Sequence, residues 1–279
     1  MKHFKNGTYS GERALFKTIG ALIEDSVFKD GESPLKESSN LDISNTAFEW
    51  KYPLWYCGDV KVNKCTFLET ARSGIWYTNN IEIKESDISA PKTFRRSSFI
   101  SVIDSNIPNA QETLWNCHHV KFKNVKVKGD YLGLNSKDVE IDNLYLDGNY
   151  CFDGGENITI RNSTLISKDS FWNSKNILIE NCIVNGEYIA WNSENITFKN
   201  CTISSHQGFC YIKNLKLINC KLIDCDLIFE YCENIEIDVN SEITSIKNPI
   251  SGVITSKGIK EIIFDDLSID KSKTSIKTK

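Results

Sequence analysis

The stretch that decides the fold is Asn157-Ile158-Thr159-Ile160, because near copies of it recur along the chain. It returns as Asn176-Ile177-Leu178-Ile179, as Asn195-Ile196-Thr197-Phe198 and as Asn214-Leu215-Lys216-Leu217. Each copy begins 19 residues after the one before it. A fixed period of this size indicates one supersecondary unit stacked on copies of itself rather than a globular α/β domain.

The repeat extends over almost the whole sequence when the residue before the first apolar position is taken as an anchor. Apolar residues follow each anchor at +1 and +3, then near +6 and +8, and again around +14. Such alternation predicts short strands, and no stretch keeps the 3.6-residue period of a long helix. The anchors are Gly20, Asn40, Asp59, Asn80, Phe99, His119, Asp138, Asn157, Asn176, Asn195, Asn214, Asn234 and Glu261.

These 13 anchors predict an all-β fold, a parallel β-helix of about 13 turns with roughly 19 residues per turn. A right-handed coil is favoured, because the strict hexapeptide repeat of left-handed β-helices is missing and one- or two-residue insertions occur. We expect a single β-helix domain over residues 1–279. Residues 1–19 would cap the first turn, residues 20–270 would form the coils, and the Lys/Ser/Thr-rich residues 271–279 would be a frayed tail.

Composition and charge limit the classes of partner. The net charge of −4 argues against nucleic acid as a partner, because phosphate binding needs a basic face. No stretch approaches the length of a membrane span, so no membrane partner is expected. The first residues contain no apolar region typical of a secretory signal, and we therefore expect a cytoplasmic protein.

The ten cysteines and the recurring asparagines fit the repeat before they fit any chemistry. Cys182, Cys201 and Cys220 share anchor position +6, which indicates an inward stack of small apolar side chains. One thiol per turn along one line cannot surround a tetrahedral ion, so neither a metal nor a cofactor is predicted. Asparagine tolerates the left-handed backbone of a tight corner, and it recurs at +5 as Asn124, Asn143, Asn162, Asn181, Asn200 and Asn219.

The third segment of each turn departs from the repeat. Counted back from the next anchor, position −5 is mainly apolar and should face the core, so position −4 should face outward. Five of the six tryptophans lie at −4. A row of aromatic and polar side chains suits sugar rings, although an error of one residue in the facing would bury the tryptophans instead. The candidate substrate-binding residues are Trp55, Trp76, Tyr77, Arg95, Trp115, Trp172, Trp191, Tyr211 and Glu230.

Candidate catalytic groups cluster in the middle of the chain, on successive turns. Two carboxylates flanking a glycosidic bond are the requirement of a glycosidase, and a basic residue beside carboxylates can abstract a proton as a lyase does. The alternative is an ordinary ladder of surface ion pairs. The candidates are Asp153, Lys168, Asp169, Glu187 and His206.

Several segments resemble a bacterial family known only as domain of unknown function 3737, and the resemblance covers nearly the whole chain. It implies a pectate-lyase-like, single-stranded, right-handed β-helix, and it implies no established activity or catalytic residues. The segments that carry it are Asp30-Gly31-Glu32-Ser33-Pro34-Leu35-Lys36-Glu37, Lys51-Tyr52-Pro53-Leu54-Trp55-Tyr56, Gly74-Ile75-Trp76-Tyr77-Thr78, Gly148-Asn149-Tyr150, Lys168-Asp169-Ser170-Phe171-Trp172-Asn173 and Gln207-Gly208-Phe209-Cys210-Tyr211.

Two functional hypotheses remain open from the sequence. The first is recognition of an oligosaccharide or a sugar conjugate on the aromatic-rich lateral face, with possible lyase or glycosidase chemistry. The second is a non-enzymatic scaffold that binds protein or self-associates through the same face, so an oligomer is possible. Whether the protein is an enzyme is left open.

Overall fold

Alternation of apolar and polar residues produces the strands in the computed structural model, which describes all residues from Met1 to Lys279. Ile158 and Ile160, at anchor +1 and +3, are almost completely buried, and Thr159 between them points outward. The chain is an all-β parallel β-helix of about 15 turns with roughly 19 residues per turn. The fold class is therefore the one that the repeat predicts.

The chain folds as two compact units, Met1–Tyr145 and Leu146–Lys279. A short 3₁₀ turn, Glu69–Ala71, lies in the first unit, and the strand β15 (Lys137–Asp147) leads from the first unit into the second. The other strands of the first unit are β1 (Lys2–Lys5), β2 (Thr8–Tyr9), β3 (Ile19–Glu24), β4 (Val27–Phe28), β5 (Ser39–Ser44), β6 (Ala47–Phe48), β7 (Gly58–Asn63), β8 (Thr66–Phe67), β9 (Ile75–Trp76), β10 (Asn79–Lys84), β11 (Asp87–Ile88), β12 (Phe94–Arg95), β13 (Ser98–Ile107) and β14 (His118–Lys128).

Each turn of the first unit has three sides, and like sides of successive turns pair in parallel. The first side pairs β1, β3, β5, β7, β10, β13 and β14 in that order. The second side pairs β2, β4, β6, β8, β11 and the end of β13. The third side consists mostly of turns; β9 pairs with β12 there, and Arg95 of β12 forms an isolated parallel bridge with Trp115. Its side chains are therefore positioned by corners rather than by a long sheet.

The second unit repeats this arrangement. Its strands are β16 (Glu156–Arg161), β17 (Thr164–Ile166), β18 (Lys175–Glu180), β19 (Ile183–Asn185), β20 (Glu194–Lys199), β21 (Thr202–His206), β22 (Lys213–Asp226), β23 (Ile235–Val239), β24 (Glu242–Lys247), β25 (Gly252–Ser256), β26 (Gly258–Ile263) and β27 (Thr274–Thr278). The first side pairs β16, β18, β20, β22, β23, β25 and β27, and the second side pairs β17, β19, β21 and the end of β22. A 3₁₀ turn covers Lys271–Lys273.

The predicted anchor Glu261 is wrong, because it lies in β26, which pairs with β24 in a separate two-stranded sheet. The true first-side strand at this level is β25, in which Gly252 pairs with Ile235. A Cβ atom at Gly252 would lie 2.2 Å from the Ile235 carbonyl oxygen, so this position excludes every larger side chain. Because glycine stands where other turns have the apolar residue at +1, the repeat cannot be recognised in the sequence at this turn.

The segments at the two ends of the chain, within the predicted cap and the predicted tail, both contain paired strands. Lys2–Lys5 pairs with β3, and Thr274–Thr278 pairs with β25. Without the wrong anchor Glu261, these two strands and β25 raise the predicted count of about 13 turns to about 15.

The core is a set of stacked columns. The apolar position −5 of the third segment faces inward as predicted, with Leu54, Phe94 and Phe171 completely buried. All ten cysteines are buried and free. The asparagines at +5 occupy left-handed corners and bond along the stack: Asn200 has φ +54° and donates from Nδ2 to Oδ1 of Asn181 at 3.2 Å. Cysteine and asparagine therefore have the structural roles that the repeat assigns to them.

Candidate functional site: the third side

The tryptophans at −4 point outward but are only half exposed. In the first unit, Trp55 and Trp76 stack with ring centroids 5.2 Å apart and planes inclined by 8°. The guanidinium of Arg95 continues the column, 5.0 Å from the Trp76 ring and 4.2 Å from the Trp115 ring. In the second unit, Trp172 and Trp191 stack at 5.6 Å. The column is continuous and rigid within each of these groups.

Each indole N–H is satisfied by the backbone of the next turn. Trp76 donates to the Lys92 carbonyl at 2.8 Å, and Trp191 donates to the Gln207 carbonyl at 2.7 Å. Trp55, Trp115 and Trp172 make the equivalent bonds at 2.5, 2.7 and 2.9 Å. Because a buried carbonyl needs a donor, the tryptophans hold successive turns together as well as facing outward. The facing inferred from the sequence is correct, and the rings are neither free nor in the core.

The tyrosines one position further on, at −3, are more exposed. Tyr56 and Tyr77 are 47% and 36% exposed and stack at 4.7 Å with planes inclined by 6°. Arg96 donates from Nη1 to the Tyr77 hydroxyl at 3.3 Å, and the Lys36 ammonium lies 5.5 Å from the Tyr56 ring. Because the two rings cover one face of each other and the two cations lie over them, this Tyr56–Tyr77 pair presents mainly ring edges and hydroxyls to solvent.

The candidate catalytic residues form ion pairs along the ladder. Lys168 Nζ lies 2.9 Å from Glu187 Oε2, and His206 Nδ1 lies 2.9 Å from Asp226 Oδ1. The hydrogen bond from Lys168 lowers the pKa of Glu187, and the same bond raises the pKa of Lys168. The structure thus brings Lys168, Glu187 and His206 onto neighbouring turns, each with an oppositely charged or potentially charged partner.

The two aspartates have different surroundings. Asp169 is 6% exposed and has a left-handed backbone, and its burial raises the pKa of its carboxyl while neighbouring Lys168 lowers it. Asp153 is half-buried and accepts a hydrogen bond from Asn173 Nδ2 at 3.1 Å. Neither lines two of the surface cavities, of about 460 and 470 Å³, whose lining residues lie between 1 and 126.

Glu230 and Tyr211 lie together in the second unit. The Glu230 side chain is 8% exposed and forms an ion pair with Lys247 at 3.0 Å, and it accepts a hydrogen bond from Gln207 Nε2 at 3.1 Å. Tyr211 is 46% exposed, and its ring lies 5.3 Å from that of Tyr231. Glu230 is therefore held by neighbouring turns, whereas Tyr211 is accessible.

Sequence reasoning did not select Tyr56, Arg96, Lys247 or Asp226. The signal for Tyr56 and Arg96 was present, because both stand one position after the tryptophan column and a left-handed corner turns that position outward. Lys247 lies in a turn where the 19-residue spacing is lost, so no alignment of anchors could place it beside Glu230.

The structure brings together no group of three or more His, Cys, Asp or Glu side chains suited to a metal ion. It contains no helix that is long and apolar enough to cross a membrane.

The fold and the third side define a parallel β-helix with a laterally stacked aromatic column. The chain belongs to the DUF3737 family, described as proteins of unknown function, whose model matches residues 2–277. No curated protein matches the sequence.

Solved structures with a similar fold include PfbA, a surface adhesin of Streptococcus pneumoniae (12% identity, TM-score 0.48, 86% of this chain and 84% of that chain covered). Another is the A-module of the mannuronan C-5 epimerase AlgE6 of Azotobacter vinelandii (10%, 0.39, 99% and 89%). A third is the catalytic domain of a GH87 α-1,3-glucanase in complex with nigerose (12%, 0.33, 99% and 63%). At such identities and TM-scores, these likenesses carry no argument about function.

Proposed function

We propose that this protein binds an oligosaccharide or a sugar conjugate along its third side and does not cleave it. The observation that carries the proposal is the exposed Tyr56–Tyr77 pair beside the half-buried stack of Trp55 and Trp76. Together these residues form a ribbon of apolar ring edges bordered by hydroxyl groups. A sugar has apolar C–H surface and polar hydroxyls, so it matches such a ribbon better than a purely apolar partner does.

The rigidity of the ribbon supports binding. Trp55 and Trp76 are fixed by stacking and by indole hydrogen bonds to the next turn. Side chains that are already ordered lose little conformational entropy when a ligand binds. The ladder spaces its rings regularly, which suits a ligand that is itself a chain of similar units.

The charges support binding over hydrolysis. A glycosidase needs a protonated carboxyl near neutral pH, usually one whose pKa is raised by an apolar site. Glu187 has the opposite tendency, because Lys168 lowers its pKa. Asp169 has a raised pKa but is almost inaccessible.

The experiment begins with the folded wild-type protein on an array of neutral, carboxylated and sulfated glycans. Calorimetric titration then compares the best glycan on wild type, on the double variant Tyr56→Ala/Tyr77→Ala and on Tyr145→Ala. Tyr145 is a matched control, since it is 46% exposed but lies in β15. We expect the double variant to lose roughly tenfold or more in affinity and the control to be unchanged.

Absence of binding to every glycan, or equal affinities of the double variant and wild type, would contradict the proposal. Mass spectrometry of the glycan after prolonged incubation tests the second half of it. We expect the glycan to be recovered intact, and shortened or unsaturated products would show that the protein is an enzyme.

A further inference from the structure

The third side of the first unit contains a local excess of positive charge. Three successive third-side segments, residues 51–56, 72–77 and 91–96, contain five cationic residues and no carboxylate, in a chain whose net charge is −4. The same segments contain Trp55, Tyr56, Trp76 and Tyr77. The cationic residues are Lys51, Arg72, Lys92, Arg95 and Arg96.

Carboxylates from neighbouring turns neutralise part of this charge. Lys51 lies 3.3 Å from Glu32, and Glu112 is shared by Lys92 at 3.1 Å and Arg95 at 2.6 Å. One carboxylate thus serves two cations at the level of Arg95. The five cations still outnumber these two carboxylates, so a formal surplus of positive charge remains in the three segments.

Arg72 and Arg96 are the exposed cations of this group that have no carboxylate partner. Arg96 contacts the Tyr56–Tyr77 pair, with Nη1 3.3 Å from the Tyr77 hydroxyl and the guanidinium 5.9 Å from the Tyr77 ring. Arg72 opens the same third-side segment that ends at Tyr77. Arg72 therefore belongs to the turn that holds Tyr77, and Arg96 belongs to the next turn, from which it reaches the Tyr77 hydroxyl.

We infer that the ligand of this surface is an acidic oligosaccharide, whose carboxylate or sulfate groups are bound by Arg96 beside the Tyr56–Tyr77 pair and by Arg72 on the same third side. This inference rests on the proposed function and specifies its ligand. A guanidinium presents parallel N–H donors that match the two oxygens of a carboxylate or sulfate, and it stays charged at every physiological pH.

The ring geometry favours an acidic glycan over a single-stranded nucleic acid, the other polyanion that basic and aromatic surfaces attract. Proteins that bind single strands stack each base on the face of an aromatic ring. Here Tyr56 and Tyr77 cover one face of each other, and Lys36 and Arg96 lie over their rings. Trp55 and Trp76 likewise cover one face of each other, and they also contact Tyr52 and Arg95. An acidic sugar needs only the guanidinium groups and the polar edges of these rings.

The test takes the tightest-binding acidic glycan from the array and prepares its neutral counterpart, with carboxylates reduced to alcohols or sulfates removed. Affinities are measured for wild type, for Arg72→Gln/Arg96→Gln and for Lys61→Gln/Lys123→Gln. The last variant removes the same charge from exposed positions on the first side of the same unit. A single-stranded oligonucleotide of similar length and charge serves as the competing polyanion.

We expect wild type to prefer the acidic glycan to its neutral counterpart by roughly tenfold or more, and the arginine variant to lose that preference. The affinity should fall with added salt, and the lysine variant should behave as wild type. Equal affinity for the two glycans, or tighter binding of the oligonucleotide, overturns this inference. The proposed function, binding of an oligosaccharide or a sugar conjugate, would still stand. Binding of neutral glycans alone overturns the inference in the same way, and binding of no glycan overturns the proposed function as well.

Discussion

The ammonium group of Lys168 lies 2.9 Å from the Glu187 carboxylate, one turn further along the chain, although both side chains are nearly half exposed. A contact of this kind is strongly solvated and screened, so it adds little to stability. Its main consequence is for chemistry: the hydrogen bond lowers the pKa of Glu187 and raises the pKa of Lys168, which moves both further from neutral pH. The two groups are therefore poorly suited to proton transfer near neutral pH.

The first prediction concerns this pair. Lys168→Gln and Glu187→Gln, singly or together, should leave the melting temperature and glycan affinity unchanged, because water replaces each partner. Thermal unfolding and calorimetric titration of the four proteins measure both quantities. A loss of affinity in either single variant would show that the pair belongs to the binding site.

The second prediction concerns Asp169. Its burial raises the pKa of the carboxyl, so the ionised form is favoured more in the unfolded than in the folded chain. The resulting stability is fully present below the unfolded pKa and is lost as the pH rises through the folded pKa. Asp169→Asn should therefore increase the free energy of unfolding at pH 7, and asparagine tolerates the left-handed φ of +53°.

Denaturant unfolding at pH 4 and pH 7 measures this effect. The gain from Asp169→Asn should be smaller at pH 4. If Asp169→Asn instead lowers the free energy of unfolding at pH 7, while the variant remains folded at pH 4, the charged Asp169 carboxylate makes a favourable contact in the wild type.

The third prediction concerns the indole hydrogen bonds. Trp191→Phe keeps an aromatic ring but removes the donor to the Gln207 carbonyl, which should cost about 1 kcal/mol. The exposed Tyr145→Phe is the control and should cost nothing measurable. Chemical denaturation of the two variants gives the comparison, and equal stabilities would contradict a structural role of the tryptophan column.

The fourth prediction separates the two roles of the asparagine ladder. Asn195 has φ +58°, donates to Asn176 at 2.9 Å and accepts from Asn214 at 2.8 Å. Both Asn195→Gly and Asn195→Ala lose these amide bonds, but only alanine is strained at this φ. We expect Asn195→Ala to be less stable than Asn195→Gly by about 1 kcal/mol. If Asn195→Ala is instead the more stable variant in urea unfolding, the left-handed φ does not favour asparagine at this position, and only the amide bonds do.

The fifth prediction is a loss of stability in alkali. Burial raises the pKa of Cys57 and of Cys117 from the ordinary 9.0 to about 12. Because the folded pKa is the higher one, the stabilising contribution is complete below pH 9 and is lost between about pH 9 and pH 12. The midpoint of urea unfolding should fall with pH above 9, less steeply in Cys57→Ala/Cys117→Ala than in wild type. Equal slopes would show that these thiols do not titrate in this range.

The fold could be predicted because the stacked turns of a solenoid require similar residues at regular intervals in the sequence. The spacing of Asn157, Asn176 and Asn195 gives the number of residues in one turn, and the alternation after each anchor gives the inward positions. The pattern failed at Gly252, where a close approach to Ile235 excludes the apolar side chain that marks other turns. Backbone crowding of this kind depends on the neighbouring turn and has no local signature.

The candidate site could be predicted in part. Lys168 and Glu187 occupy the same position on successive turns, so the repeat predicts that they are neighbours. Position −5 faces the core, so the repeat predicts that the next residue, Trp191, faces outward. The bond from the Trp191 indole to Gln207 depends on the side-chain rotamer, which no spacing reveals. The predicted substrate-binding residues stay predictions, as does the single-domain description of residues 1–279.

The measurement that tests the account most directly is a crystal structure of the protein soaked with the tightest-binding acidic glycan. We predict ordered glycan density along residues 51–56, 72–77 and 91–96, with acidic groups within hydrogen-bond distance of Arg72 and Arg96 and sugar rings against Tyr56 and Tyr77. Density on the first side, or none on the third side at saturating glycan, would contradict the central claim that this aromatic ribbon is a carbohydrate-binding surface.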